Sequence, residues 1–453
     1  MNSTPIRILW DSPCPLLDLH ASNPRFFPGL LESVVQGTPN ARFDVLFAAP
    51  SRTVQLDANA AQPADQIGFL SALNAEFVQA RATNPAVGES LPFWSGWLLY
   101  LGYELLAECE PRVPVSPDPA GLPRACAIRC HGALIREHQT GQVWIVAESQ
   151  SVADQIVDQL GQAAPLAGEQ PELLHASAED PARLKQSLER IREYILAGDV
   201  FQVNLSRGWQ ASYAADLNPA ATYKQLRESN PSPFAGLFRQ GDWAVISSSP
   251  ERLVKVEDGW VETRPIAGTR RRGSSEATDE ALLAELIGHP KERAEHVMLI
   301  DLERNDLGRL CEPGSVEVDD LMVLESYAHV HHIVSNVRGR LRNGIRPGDV
   351  IAATFPGGTI TGCPKVRCME IIQELEPTGR GAYTGALGYL GIDGRLDLNI
   401  LIRTIVTHGR HAWFRAGAGI VADSDPDAEL LEMQAKARGL LPALGLDTEF
   451  GRP

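Results

Sequence analysis

Three things are scarce in this 453-residue chain, and each scarcity closes off a class of function. Positive charge is the first: 57 acidic side chains face 41 basic ones, a formal charge of −16. Sequence-independent nucleic-acid binding depends on neutralising phosphates, so no nucleic-acid partner is expected. Arg270-Arg271-Arg272 is the one dense basic run, and it reads as a solvated loop. Long apolar runs are the second: none reaches the ~20 residues that would span a bilayer, and residues 1–10 lack a basic segment leading into an apolar core. Neither a membrane partner nor a signal peptide is expected. Cysteine is the third, seven in an odd, scattered set that fits reduced thiols and a cytoplasmic enzyme. Cys126 and Cys130 are four apart with no second Cys or His pair at zinc spacing, so they read as buried thiols.

Several short motifs are missing as well. Gly362 is followed by Cys363-Pro364-Lys365 rather than Lys-Ser/Thr, which excludes a Walker A loop. Gly385, Gly388 and Gly391 recur by threes and do not make a dinucleotide fingerprint. No Gly-x-Ser-x-Gly elbow supports Ser-His-Asp hydrolysis.

What is present divides by texture. Residues 1–162 mix short strand-like runs with helical patches such as 67–81. Residues 163–180, rich in Ala, Pro, Glu and Ser, read as an exposed connector, and residues 181–453 carry stronger patterns. Helical spacing predicts helices over 182–197, 279–286, 290–304, 365–375 and 426–441. Short apolar runs predict strands over 200–207, 243–247, 261–265, 386–391 and 411–416. Strands and helices mixed without regular alternation give an α+β fold rather than a doubly wound parallel sheet.

Two of these helices repeat one device. After Ser424 or Asp425 as cap and Pro426 in the first turn, Glu429 and Glu432 are three apart, with Lys436 four further on the same face. Pro290 opens the other helix, where Glu292 and Glu295 are again three apart. Brought together, the pairs would offer the hard oxygen ligands that Mg²⁺ takes; on spacing alone, two solvated helix faces serve equally. The Gly357-Gly358 loop running into the helix at Lys365 suits a carboxylate or phosphate. Gly417 and Gly419 end a strand where backbone can approach a ligand. Arg403 interrupts an apolar strand, and its partner is either an interior carboxylate or a substrate carboxylate. Of His329, His331 and His332, the first two share one strand face and His332 takes the other.

Taken in order, these pieces resemble the chorismate-utilising enzymes. The match runs from Phe201-Gln-Val-Asn-Leu-Ser206 through Ser248-Ser-Pro-Glu-Arg252, Arg264-Pro-Ile-Ala-Gly-Thr269, Glu292-Arg-Ala-Glu-His296 and Asp301-Leu-Glu-Arg-Asn-Asp306. It continues through the Gly-rich loop, Ile402-Arg403-Thr404, the strand at Gly417 and the Glu429/Glu432/Lys436 helix, and covers about 182–445. The resemblance implies two large, mainly antiparallel β-sheets packed as a sandwich, helices outside and the active site in the cleft. Residues 1–162 would complete that fold, 163–180 connect, and 181–453 bind chorismate. Glu295 and Glu432 would ligate Mg²⁺, with Glu292 and Glu429 supporting through its waters. Glu251 would be the acid/base that helps the ring hydroxyl leave. Arg403, Tyr389 and the Gly419 backbone would hold the enolpyruvyl carboxylate. Gly268, Thr269, Thr359 and Lys436 would line the ring pocket, with His332 near the reacting face.

Within the family, isochorismate- and salicylate-forming members carry a water-activating lysine where this chain has Gln202, which implies ammonia as nucleophile. Asn204 and Phe355-Pro-Gly-Gly-Thr-Ile-Thr-Gly362 resemble the aminodeoxychorismate branch. Many of that branch have a nucleophilic lysine at the position of Ala267, and Ala267 resembles the anthranilate branch instead. The expected activity is amination of chorismate to 4-amino-4-deoxychorismate, toward 4-aminobenzoate and folate. Anthranilate formation and a silent chorismate- or tryptophan-binding subunit are the alternatives. With no Cys-His-Glu glutaminase segment here, the resemblance implies ammonia from a separate glutamine amidotransferase subunit. Leu31, Glu32 and Ser33 with Pro231 and Phe234 resemble a tryptophan pocket.

Overall fold

The computed structural model describes residues 5–35, 41–58, 68–81, 91–166, 170–273, 275–288, 290–326 and 330–453, with backbone alone at 267, 269, 271, 276, 277, 287, 290–292 and 330. Every ladder among the described strands is antiparallel. The network divides at one long pair of strands that are distant in the chain. Strands Phe43–Leu56 and Ala125–Glu137 pair along their whole length, with a bulge between Pro50 and Thr53. Beyond the bulge, residues 125–130 pair with Gly96–Leu101; before it, residues 132–136 pair with Val143–Ala147. A bulge bends its strand, so the two halves of the pair feed two different layers.

One layer runs from that strand pair through Gly29–Glu32, Phe234–Gln240, Trp243–Ser249, Thr404–His408 and His411–Ile420 to Gln202–Tyr213. The other runs through Ala386–Gly391, Leu396–Ile400, Arg252–Glu257 and Trp260–Thr263 to Val330–Arg340, which also pairs with Ile266–Arg271 and Glu317–Ser326. Leu98, Tyr100 and Leu387 of the second layer pack with Phe238, Trp243 and Val245 of the first in one buried cluster. The Tyr100 ring lies 5.9 Å from Phe238 and 5.4 Å from Trp243. Such a side chain contributes roughly 1.5–3 kcal/mol on burial, so this cluster holds the layers face to face. Helices Phe69–Ala80 and Pro347–Thr354 cover the second layer. Pro181–Leu196, Lys365–Leu375 and Pro426–Ala437 cover the end strands of the first.

The α+β sandwich is the expected fold, and the region 1–162 is built into both of its layers. The connector differs from expectation. Leu173–Ala178 is an edge strand on Gln202–Tyr213, because Leu173, Ala176 and Ala178 pack onto an apolar cluster despite the loop-like composition around them. Arg270 and Arg272 are likewise not merely solvated: they pair with Glu285 and Asp279. All seven cysteines are free. No helix among the described residues is long and apolar enough to cross a membrane.

Candidate active site

Alternation along Gln202–Tyr213 sends Val203 and Leu205 under the covering helices and leaves Gln202 and Asn204 on the opposite face. Gln202 stands opposite Cys363 on one side, and Asn204 opposite Gly419 in the ladder with His411–Ile420 on the other. Missing side chains on that partner strand make the space. A Cβ at Gly419 would collide with the Gln202 amide, and one at Gly417 with the Tyr383 hydroxyl. The Tyr383 hydroxyl reaches Asn204 Oδ1 at 3.5 Å. Gln202 Oε1 is buried with no hydrogen-bond partner. A buried carbonyl without a donor is costly and points to a ligand that supplies one.

Glu251 follows strand Trp243–Ser249 and is buried. Thr359 Oγ1, on the Gly-rich loop, donates to Glu251 Oε1 at 2.9 Å. Burial pushes this carboxyl up to about 7, opposed by the Thr359 hydrogen bond and the charges of Lys436 and Arg403. It therefore holds its proton near neutral pH, as a general acid must. Arg403 is half-buried and adopts φ 51° on the bend between Leu396–Ile400 and Thr404–His408, and burial pushes its pKa down against the charge of Glu251. Its Nη1 donates to Asn230 Oδ1 at 3.5 Å, a long contact that leaves its remaining donors for another acceptor. His332 is buried beside Arg403 and donates to the Gly268 carbonyl; burial, then Arg403, pushes its pKa down to about 4. It is a neutral imidazole at pH 7. Lys436 Nζ donates to the Gly417 carbonyl at 2.9 Å and pairs with Glu432 at 2.7 Å.

Hydrogen bonds and charge interactions thus tie Glu251, Thr359, Arg403, Lys436, His332 and Gly268 into one group, the candidate cleft, which Gln202, Gly419 and Asn204 join through the strand of Gly417. Thr269 pairs with His332 in the ladder, but its side chain, like that of Glu292, lies outside the described ones, as does His329.

Tyr389 is not at this cleft. It lies two residues beyond Leu387 on the same strand face, with its ring 5.7 Å from Phe93 and 6.4 Å from Phe47. It lines a second cavity of about 290 Å³ with Leu31, Glu32, Ser33, Phe234 and Arg252. Tyr383, six residues earlier, takes the place by the cleft. Of the residues compared with a tryptophan pocket, Leu31, Glu32, Ser33 and Phe234 line that second cavity, while Pro233 takes the place expected for Pro231. Glu32 there accepts from the Tyr223 hydroxyl at 2.8 Å and Arg227 at 3.0 Å.

Sequence reasoning also missed a buried cluster beneath the Gly-rich loop. Lys365 Nζ meets Asp306 Oδ2 at 2.7 Å, so this lysine is not held in reserve for an anion. Glu303 is buried close to Gly358, and burial with neighbouring Asp306 raises its carboxyl. The motif around Asp306 signalled it, but only the packing of Pro290–Gly308 under the loop gives it neighbours.

The metal expectation meets a mixed picture. Among the described residues no group of three His, Cys, Asp or Glu side chains stands close enough to hold an ion. Glu295 and Glu429 are half-buried, and Glu432 is exposed against Lys436. Oxygen donors of this kind are what Mg²⁺ takes, one or two carboxylates with water and an anionic substrate in its remaining sites, and in this structure Glu432 is held by Lys436 instead.

Residues 31–442 match the family model described as chorismate binding enzyme. A Synechocystis protein named anthranilate synthase component I-like is 45% identical over 363 residues, covering 79% of this chain and 74% of its own. Aminodeoxychorismate synthase component 1 of Bacillus subtilis is 44% identical over 372 residues, covering 79% and 78%. The crystal structure of anthranilate synthase component I from Streptococcus pneumoniae superposes with a TM-score of 0.78 at 32% identity, over 90% of this chain and 93% of that one.

Proposed function

The chain belongs to the chorismate-binding enzyme family, and from that premise we propose that it is an aminodeoxychorismate synthase component I, which replaces the ring hydroxyl of chorismate with an amino group. The observation that supports this reading is a buried Glu251 whose raised pKa suits a general acid, together with a Gln202 carbonyl left without a donor.

Chorismate is a dianion, and the cleft offers cationic partners inside an acidic protein. Arg403 holds the enolpyruvyl carboxylate through charge-assisted hydrogen bonds, and Tyr383 rather than Tyr389 stands ready to join it. Lys436, Thr359 and the Gly268 backbone border the ring, with Thr269 beside them. Glu251 gives its proton to the ring hydroxyl, which leaves as water while ammonia bonds to the ring carbon, and the Glu251 carboxylate then takes up the proton that the new ammonium sheds. Gln202 Oε1 accepts an N–H of ammonia and so aims the nitrogen lone pair at the ring. His332, being neutral, orients by hydrogen bonding rather than by charge. Glu295 and Glu432, with Glu292 and Glu429 behind them, would hold Mg²⁺, which when bound supplies Lewis-acid neutralisation of the ring carboxylate. The proposed ammonia source is a separate glutamine amidotransferase subunit, and the proposed ligand of the second cavity is tryptophan.

Asn204 favours amination that keeps the enolpyruvyl group; Ala267 favours the anthranilate route and removes any lysine adduct from the mechanism. Product analysis with chorismate, Mg²⁺ and ammonium chloride decides. Aminodeoxychorismate without pyruvate, lost in EDTA, is the expected result. Anthranilate with equimolar pyruvate would assign the other branch, and untouched chorismate a binding subunit.

A further inference from the structure

His331, the histidine that the cleft does not use, belongs to a second assembly behind it. Its ring is buried on the opposite strand face from His332. Its Nε2–H donates to Asp279 Oδ1 at 2.9 Å, and its Nδ1 meets the Ser326 hydroxyl at 2.7 Å. The Asp279 carboxylate also takes Arg272 Nε at 2.9 Å on both oxygens and the Gly273 N–H at 2.7 Å. One carboxylate therefore ties helix Glu276–Gly288, the end of strand Ile266–Arg271 and strand Val330–Arg340 together. Hydrogen bonds from Arg272, then Gly273, hold it well below the usual carboxylate range, so it is charged throughout the working pH range.

The placement matters because the backbone is irregular where these strands reach the cleft. The ladder shifts register between Ala267 and Thr269, and Gly268 has φ 68°. Ladder hydrogen bonds alone do not set where the Gly268 carbonyl stands against His332. The anchors on either side do: Arg272 and Gly273 on one strand, His331 on the other, both held by Asp279.

We propose that Asp279 is a positioning residue for the reaction, setting through His331 and Arg272 where His332 and the Gly268 backbone stand relative to Glu251 and Arg403. The inference rests on the functional reading given above. Asp279 touches neither substrate nor the reacting atoms, so its loss should lower turnover without weakening chorismate binding, which depends on Arg403.

The test compares the full-length protein with Asp279→Ala and Asp279→Asn in chorismate consumption with Mg²⁺ and ammonium chloride. Misplacing a group by about 1 Å costs up to about 100-fold, so kcat should fall about 10- to 100-fold in Asp279→Ala, with KM for chorismate within about threefold. Asp279→Asn keeps an acceptor for His331 and Gly273 and should recover part of the loss. Wild-type kcat in Asp279→Ala, or a loss confined to KM, would overturn the proposal. Should that variant not fold, wild-type kcat in Asp279→Asn overturns it equally. If the wild type leaves chorismate untouched, the functional reading is what fails. Positioning is then read from the ¹⁵N resonances of the His332 ring, which shift in Asp279→Asn if Asp279 sets its place and stay fixed if it does not.

Discussion

Glu251 and Arg252 are neighbours in the chain and serve two different places. Glu251 enters the cleft, where burial is opposed by one hydroxyl and by the fields of Lys436 and Arg403, and its pKa climbs to about 7. Arg252 enters the second cavity, where Asp397 meets its Nε at 2.9 Å and raises its pKa. The same contrast holds around each. The cleft has an unpartnered Gln202 carbonyl and a neutral, buried His332; in the cavity, Glu32 is satisfied by Tyr223 and Arg227. One region leaves a polar group without a partner, as a site of proton transfer requires. The other has its charges paired before anything binds, although burial and then Asp44 still raise the Glu32 carboxyl against Arg227 and Tyr223, as suits a site of recognition or support.

The contrast breaks most sharply at Glu251. Replacing it by Gln should lower kcat by about 10²- to 10⁴-fold, the range for loss of a general acid, measured as chorismate consumption at saturating ammonium. Replacing Arg403 by Ala should act on binding instead. A lost charge-assisted pair costs about 1.5–3 kcal/mol, so KM for chorismate should rise roughly 10- to 100-fold, and Arg403→Lys should restore only part of it.

Stability should move in opposite directions at the two neighbours. The folded protein binds the Glu251 proton more tightly than the unfolded chain does. The stability this group lends is complete below its ordinary value near 4.5 and is lost as pH rises through about 7. Glu251→Gln should therefore gain about 1–3 kcal/mol on the wild type between pH 5 and pH 8 in denaturant melts. Arg252→Met, which strands Asp397, should lose about 2–4 kcal/mol at pH 8. The smallest effect is expected from Ser33→Leu, which fills the second cavity. Chorismate turnover should stay within about twofold, as for a change remote from the chemistry. Any calorimetric heat of tryptophan binding should vanish in this variant. No heat in the wild type would remove tryptophan from the account.

Much of this was legible in the sequence, and the misses share a cause. Arg403 announced itself as a charge in an apolar stretch, although it sits on the bend between two strands and not inside one, and Glu251, Gln202 and Lys436 lay in motifs with a fixed order. Tyr389 was misplaced because two tyrosines stand six apart around the Gly385 turn, and alternation gives each a face without saying which element that face meets. Leu173–Ala178 read as connector because Ala and Ser carry little strand signal; its pairing is decided by Gln202–Tyr213, far along the chain. The Glu303, Asp306 and Lys365 cluster and the Asp279 hub depend on packing between segments, which no local spacing encodes. Periodicity gives faces; contacts between faces come only with the fold.

The central claim is that a proton held by buried Glu251 drives the chemistry. Its most direct measure is kcat/KM for chorismate from pH 5.5 to 9 at fixed free ammonia concentration. The account predicts activity that falls as pH rises through about 7, where Glu251 loses its proton. A profile that stays level or climbs to pH 9 would contradict it.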